Sequence, residues 1–222
     1  MKLIEGILNI FAPHECVRCK VEGSLLCSAC AQALTAVPPR CYRCRRWEAE
    51  SRTCQRCRSQ SPLSSVWSVA SYDDTVAKEL VRVLKFGRAK GAAAAMAQPL
   101  AAVVTVPKET YITYVPTANT RVRQRGYDQA ELLAKELSRQ SGAPYTPLLA
   151  RVNDKRQTGQ KRGARTQQMQ DAFRVLSPEM LRNKHVLLVD DVLTTGATCE
   201  AAARVLRRAG AKSVSAAVFA VA

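Results

Sequence analysis

The chain has 222 residues, enough for one ordinary domain with a small appendage or for one large domain. Hydrophobic residues make up 47%, enough for a core, and no run approaches the ~18 consecutive apolar residues of a membrane span. The 34 Lys and Arg against 18 Asp and Glu give a formal charge of +16, a balance that favours acidic partners such as nucleic acid or phosphates and says nothing of fold.

At the N-terminus, Leu3, Ile4, Ile7, Leu8 and Phe11 have helical spacing interrupted by Glu5 and Asn9. This predicts an amphipathic helix rather than a secretory leader, with a helix lying on a membrane surface as the alternative. A cytoplasmic setting is expected.

Nine cysteines follow, eight of them within the first 57 residues as four Cys-Xaa-Xaa-Cys pairs: Cys16/Cys19, Cys27/Cys30, Cys41/Cys44 and Cys54/Cys57. A two-residue gap lets both sulfurs of a tight turn reach one ion at about 2.3 Å, and two such turns complete a tetrahedron. Seven residues separate the first two pairs and nine the last two, so neighbours are expected to pair around two zinc ions; an interleaved arrangement stays open. An iron–sulfur cluster is the other chemistry such thiolates suit. Disulfides fit poorly, because paired cysteines this close cannot span the usual structural loops. Such ribbons are mostly structural, holding segments too short to bury a core. His14, just before Cys16, could replace a thiolate but is not needed beside a full cysteine set. Two zinc–tetrathiolate groups, each of net charge about −2, would leave the folded chain near +12.

Ser59-Gln60-Ser61-Pro62 reads as a linker, which divides the chain into a double zinc ribbon with its N-terminal helix over 1–60 and a second domain over 63–222. Val66 to Tyr72 alternates like a strand. Asp74 is placed to cap a helix with Val76, Leu80, Val81, Val83 and Leu84 inward, ending near Gly87. The alanine-rich stretch 91–104 predicts another helix, Tyr111 to Val115 a strand, and 127–139 a helix with Ala130, Leu133, Ala134 and Leu137 buried. Residues 146–152 suit a strand and 153–171 a polar, basic, mobile loop. Residues 121–165 hold 11 basic side chains against four acids, which also suits a solvated face. Val186 to Val189 is a buried-strand run, Ala197 to Arg208 a helix stopped at Gly210, and Val214 to Val221 a last strand. Strands alternating with helices predict an α/β fold, a parallel sheet with helices on both faces and its ligand site outside the carboxyl ends of the strands.

The turn after Val189 lies at such an end. Asp190 and Asp191 precede Thr194-Thr195-Gly196-Ala197-Thr198 at a helix start, where backbone N–H groups and the helix dipole suit a phosphate. Glycine permits close backbone approach and the threonine hydroxyls add donors. The carboxylates suit sugar hydroxyls or a divalent cation. A 5-phosphorylated ribose presents both features. Cys199, at the same helix start, reads as packing, although the dipole there could lower its pKa.

The run Leu188 to Thr198 resembles the phosphoribosyl-diphosphate (PRPP) signature of type I phosphoribosyltransferases. The cysteine ribbons followed by Lys85-Phe86, Val115-Pro116, Arg125-Gly126-Tyr127-Asp128-Gln129-Ala130 and Asp171-Ala172-Phe173 are similar to the ComF family of competence-related proteins. That resemblance implies a type I phosphoribosyltransferase fold, with Asp190 and Asp191 on the ribose hydroxyls, Thr194, Thr195, Gly196, Ala197 and Thr198 around the 5-phosphate, Thr117 facing the pyrophosphate, and Mg²⁺ accompanying PRPP. It also implies handling of single-stranded DNA in natural transformation, beside a helicase-like partner. Arg121, Arg125, Lys161, Arg162 and Arg165 are candidates for holding pyrophosphate and equally for contacting a nucleic-acid backbone. This chain departs from the pattern at Tyr127-Asp128, where Phe-Asn is usual, and at Arg165 to Gln170, where Arg-Arg and an Asn are common. Two functions stay open: a PRPP-binding, DNA-handling protein, or a Mg²⁺-dependent phosphoribosyltransferase acting on a nucleobase or related acceptor.

Overall fold

The protein, as a computed structural model, is described over residues 15–87, 89–107, 109–152 and 172–222. The N-terminal helix expected over 1–11, His14, and the basic segment 153–171 with Lys161, Arg162 and Arg165 lie outside the described residues. Among those described, the strands are β1 (Val66–Ser71), β2 (Thr110–Tyr114), β3 (Leu149–Arg151), β4 (Phe173–Val175), β5 (His185–Leu193) and β6 (Ser213–Val221). The helices are α1 (Ser28–Gln32), α2 (Gln55–Arg58), α3 (Thr75–Phe86), α4 (Ala92–Val103), α5 (Asn119–Arg125), α6 (Gln129–Ser141) and α7 (Ala197–Arg208).

Four strands form one parallel sheet in the order β1-β6-β5-β2. Parallel strands covered on both faces must be apolar at consecutive positions, and β5 meets that demand. Leu187 and Val189, with Ala217 and Phe219 of β6, pack under α3, α4 and α6. Val186 and Leu188, with Val214, Ala216 and Val218, pack against α7. The cysteine-rich region is divided between these layers. Cys16, Leu26, Cys30 and Leu34 join the first cluster, and Tyr42 and Leu63 join the second.

The sheet, the α/β class and helices α3, α4 and α7 agree with the sequence-based expectations to within two residues. Three segments differ. The helix expected over 127–139 begins at Gln129 and is preceded by α5, from which Gly126 separates it at φ 82°. The strand expected over 146–152 is the short β3, which leaves the main sheet to pair antiparallel with β4, while the chain before it touches β2 through Ile112 and Tyr145. Finally, β5 runs through the acidic pair to Leu193 instead of stopping at Val189.

The start of α3 is tied to the cysteine-rich region by one side chain. Asp74 Oδ1 accepts from the N–H groups of Val76 and Ala77 at 2.9 and 3.0 Å, and Oδ2 accepts from the N–H and hydroxyl of Thr35 at 3.0 and 2.9 Å. Burial pushes this carboxyl up, but the hydrogen bonds outweigh it and hold it below its ordinary value. A depressed carboxyl stabilises the fold above the ordinary carboxylate range and loses that contribution as pH falls through its folded value. Asp74→Ala should therefore lower unfolding stability by about 1–2 kcal/mol at neutral pH, with the gap to wild type closing in acid, as read by urea denaturation across pH.

Candidate functional site

Two groups of side chains with chemical capacity lie in the cysteine-rich region and a third lies at the carboxyl end of the sheet. Cys16, Cys19, Cys27 and Cys30 form one thiol cluster and Cys41, Cys44, Cys54 and Cys57 a second, the sulfurs of each within 4.8 Å of one another. The pairing is between neighbours. Sulfur pairs at 3.6 Å, Cys19 with Cys27 and Cys44 with Cys54, approach the edge of a tetrahedron built on bonds of about 2.3 Å. Burial pushes the Cys16 and Cys41 thiols up, yet nearby backbone N–H groups outweigh it and bring both down to about 6. Burial and then the neighbouring thiols push Cys30 and Cys57 up to about 12. Such a set ionises in full only around a cation, so each group could hold a metal ion, and its all-sulfur chemistry fits zinc.

The third site is built by β2, β5 and the segments that follow them. Tyr114 pairs with Val189, and the Val115 N–H donates to the Val189 carbonyl at 3.0 Å. The turn Pro116-Thr117 is thereby set beside Asp190. A cleft of about 760 Å³ opens here, lined by Lys85, Phe86, Thr117, Arg121, Gln124, Arg125, Gln129, Arg151, Asp190, Asp191 and Thr198 among others. Thr194, Gly196 and Ala197 line a small crevice of about 30 Å³ that shares Asp190 and Thr198 with the cleft. Thr195 is exposed and accepts from the Ala197 N–H at 3.4 Å. The fold thus gathers Asp190, Asp191, Thr117, Thr198, Arg121 and Arg125 around one cavity, with the Thr194 to Ala197 turn adjoining it.

Asp191 is buried and its Oδ2 meets the Lys85 ammonium at 2.7 Å. Asp190 accepts the Asp191 N–H at 2.8 Å. Removal from water, and next the Asp191 charge, push the Asp190 carboxyl well above its ordinary value, with Lys85 pulling the other way. One lysine balances one of the two carboxylates, and Asp190, half-buried, opens on the cleft. The same surroundings push the Cys199 thiol up, through burial and then the two aspartates, so this buried cysteine packs rather than reacts.

The Thr117 turn is held by the start of α6. Asp128 Oδ2 accepts the Thr117 N–H at 2.7 Å, and its Oδ1 accepts the Thr117 hydroxyl at 3.2 Å and the Ala130 N–H at 3.0 Å. Burial nonetheless raises this carboxyl above its ordinary value. Gln129 donates to Thr117 Oγ1 at 3.0 Å and accepts from Arg125 at 2.7 Å. The Arg125 guanidinium also lies 5.2 Å from the centre of the exposed Phe86 ring. Sequence reasoning named Arg125 as a candidate anion contact, but quoted Lys85 and the run Gly126 to Ala130 only as family markers. It missed the pairing of Lys85 with Asp191 and the clamp of Asp128 on Thr117, and it counted Arg151 among the basic side chains of 121–165 without placing it at the cleft. An Asp-Gln pair opening an apolar-periodic helix is a cap signal that could have marked Asp128.

A family described as the Phosphoribosyl transferase domain matches residues 122–221. The chain is 30% identical to the DNA utilization protein YhgH of Salmonella typhimurium, over 91% of this chain and 94% of that protein. It is 27% identical to Competence protein F of Haemophilus influenzae, over 94% and 96%, and 29% identical to Competence protein ComFC of Bacillus subtilis, over 86% and 81%. The chain belongs to the ComF family. Among solved structures, a glutamine PRPP amidotransferase from B. subtilis overlaps 63% of this chain and 30% of its own, at TM-score 0.47 and 19% identity, too distant to bear on function. Within the ComF pattern, the two unusual residues have definite places here. The Tyr127 hydroxyl donates to the Leu84 carbonyl at 2.6 Å, and Asp128 holds the Thr117 turn.

The acidic pair makes a pH prediction. A carboxyl raised in the fold keeps its proton where the unfolded chain has released one, so the fold loses stability as pH rises from the ordinary carboxylate range toward the raised value. In the protein carrying Asp190→Asn, which retains an acceptor for the Asp191 N–H, urea unfolding should be less pH-dependent across that window. The variant should also be more stable than wild type at pH 7.

Proposed function

We propose that the cleft binds PRPP with Mg²⁺ and that the protein handles single-stranded DNA during DNA uptake. The observation that carries this reading is the Asp190–Asp191 pair near the carboxyl end of β5, beside the first turn of α7 and rimmed by Arg121, Arg125 and Arg151. In it, Asp190 and Asp191 accept hydrogen bonds from the ribose hydroxyls. The turn from Thr194 to Thr198 takes the 5-phosphate, since first-turn N–H groups of a helix have no intrahelical acceptor. Thr117, fixed by Asp128, presents its turn to the pyrophosphate, and Arg121 and Arg125 oppose the charge. Lys161, Arg162 and Arg165 are assigned to the same basic surface from sequence. Mg²⁺ would be held near the carboxylate pair, whose shortage of positive charge fits a hard cation, and would supply charge neutralisation to the pyrophosphate.

Relatives named for DNA utilization and competence support the DNA-handling part. The net charge of +16 and the basic rim supply the means, contacts to a phosphate backbone. In this reading the region 1–60 is a double zinc ribbon and 63–222 the phosphoribosyltransferase-like domain. The ribbons brace the sheet and offer a docking surface for a helicase-like partner, with Trp47, 70% exposed, at the second thiol group. The setting is cytoplasmic, and among the described residues no helix is long and apolar enough to cross a membrane.

A second reading is supported by the size of the cleft, about 760 Å³, which leaves room for an acceptor beside a phosphoribosyl group. An acceptor nitrogen would attack C1 as pyrophosphate departs with the bonding pair. The chain's part would be to position the two and stabilise the leaving group with Arg121 and Arg125.

Fluorescence titration with a single-stranded oligonucleotide at two salt concentrations, with and without PRPP, separates these readings. DNA handling predicts salt-sensitive binding, with the slope of log affinity against log salt reduced by roughly one for each of Arg121→Ala and Arg125→Ala. Absence of binding at low salt would remove it, and pyrophosphate release on adding a nucleobase would establish turnover. Elemental analysis of freshly purified protein should find about two zinc ions per chain; iron in their place would establish the cluster alternative.

A further inference from the structure

One residue joins the second thiol group to the phosphate turn. Tyr42 follows Cys41 directly, yet its ring lies in the cluster packed around α7, with 8% of its surface exposed. Its hydroxyl donates to Glu200 Oε1 at 2.6 Å and lies 2.6 Å from Ser61 Oγ. Glu200 is a charged side chain with 8% exposure, and it is completed by Arg204 at 2.6 Å and by Arg43, next to Tyr42, at 3.4 Å. The Glu200 N–H in turn closes the first turn of α7 on the Gly196 carbonyl at 2.8 Å.

The Tyr42 ring also reaches that turn from the other side. A Cβ on Gly196 would stand 3.2 and 3.4 Å from the ring carbons Cε2 and Cδ2. Gly196 has φ 79°, a conformation that favours glycine, and the ring beside it leaves little room for a Cβ. The first turn of α7 is therefore gripped at both ends by one side chain of the Cys41–Cys57 region. The other thiol group is packed into the opposite layer, with α3, α4 and α6.

We propose that Tyr42 is a positioning residue for the Thr194 to Thr198 turn, through which metal at Cys41, Cys44, Cys54 and Cys57 and a phosphorylated ligand at that turn favour each other. The ligand half of this statement rests on the PRPP reading above. Linkage makes the effect reciprocal: what metal does for ligand affinity, ligand does for metal retention. It also makes the effect selective, because the group at Cys16, Cys19, Cys27 and Cys30 has no such bridge to the turn among the described residues.

The test uses the full-length, metal-loaded chain. Amide hydrogen exchange over residues 194–200 should be about tenfold faster in Tyr42→Ala than in wild type. The effect should be smaller in Tyr42→Phe, which keeps the ring on Gly196 and loses the hydroxyl, and strand β2 should be unchanged in both. The PRPP dissociation constant should rise by about tenfold in Tyr42→Ala. Saturating PRPP should slow chelator-driven loss of one of the two metal ions in wild type and of neither in Tyr42→Ala. Wild-type exchange at 194–200 in Tyr42→Ala would overturn the proposal, as would equal protection of both ions by PRPP. If Tyr42→Ala does not fold, unchanged exchange in both Tyr42→Phe and Glu200→Gln would overturn it. Failure of the wild type to bind PRPP while exchange still responds to Tyr42 would instead refute the PRPP reading and leave the positioning role standing.

Discussion

A strand buried on both faces has no place for charge along its length, and that constraint on β5 organises the molecule. Val186 to Val189 are covered by helices on either side, and the acidic residues come only after them, where β5 has outrun β2 though it continues to the buried Leu193. There Asp190 stands opposite Val218 of β6, with Asp191 next to it in the chain, both beyond the last residue of β2. Two carboxylates this close repel, and the lysine that reaches Asp191 from the end of α3 meets only part of the demand. A site in this condition favours whatever brings hydroxyl donors or a cation to it. The parallel topology puts the start of α7 and the Thr117 turn beside the same point, adding donors suited to an anion.

The thiol groups belong to this arrangement more closely than a detached ribbon module would. Each contributes apolar residues to a different face of the sheet, Leu26 and Leu34 to one and Tyr42 and Leu63 to the other. A metal that orders a short cysteine-rich segment therefore also completes a layer of the core. The carboxyl end of the chain is drawn in as well, since Arg45 donates to the Ala222 carbonyl at 2.9 Å. Folding of the cysteine-rich segment from Cys16 to Cys57 and closure of the sheet are in this sense one packing problem.

What the sequence made legible was what lies close together along it. The apolar run, the acidic pair and the small-residue turn fall within thirteen residues of one another, and each cysteine pair carries its own spacing. Helix α5 was invisible because Asn119–Arg125 buries none of its residues and so carries no apolar period. The β3–β4 hairpin was invisible because three-residue strands carry too little alternation to tell from a loop. The Tyr42–Glu200 contact joins residues 158 positions apart, and neither residue type announces a partner. Asp128 lay in the open as a cap, but placing the helix start at 127 hid it inside the helix.

The cations around the cleft are not equivalent, and the difference bears on what the cleft can hold. Lys85 is committed to Asp191, so its charge is largely spent inside the protein. Arg125 is held differently: among the described residues its partners are an uncharged amide, Gln129, and an aromatic ring, Phe86. Both fix the guanidinium in place without cancelling its charge. Gln129 is itself fixed by Thr117, and Thr117 by Asp128, so the orientation of Arg125 is inherited from the same turn that faces the acidic pair. An anion entering the cleft would thus meet a cation already oriented, and the ordering of that side chain would not be charged against binding. The clamp at Asp128 accordingly does for the Thr117 turn what the Tyr42 ring and hydroxyl do for the first turn of α7. Each fixes a backbone segment beside Asp190 from behind, by a side chain that is itself buried.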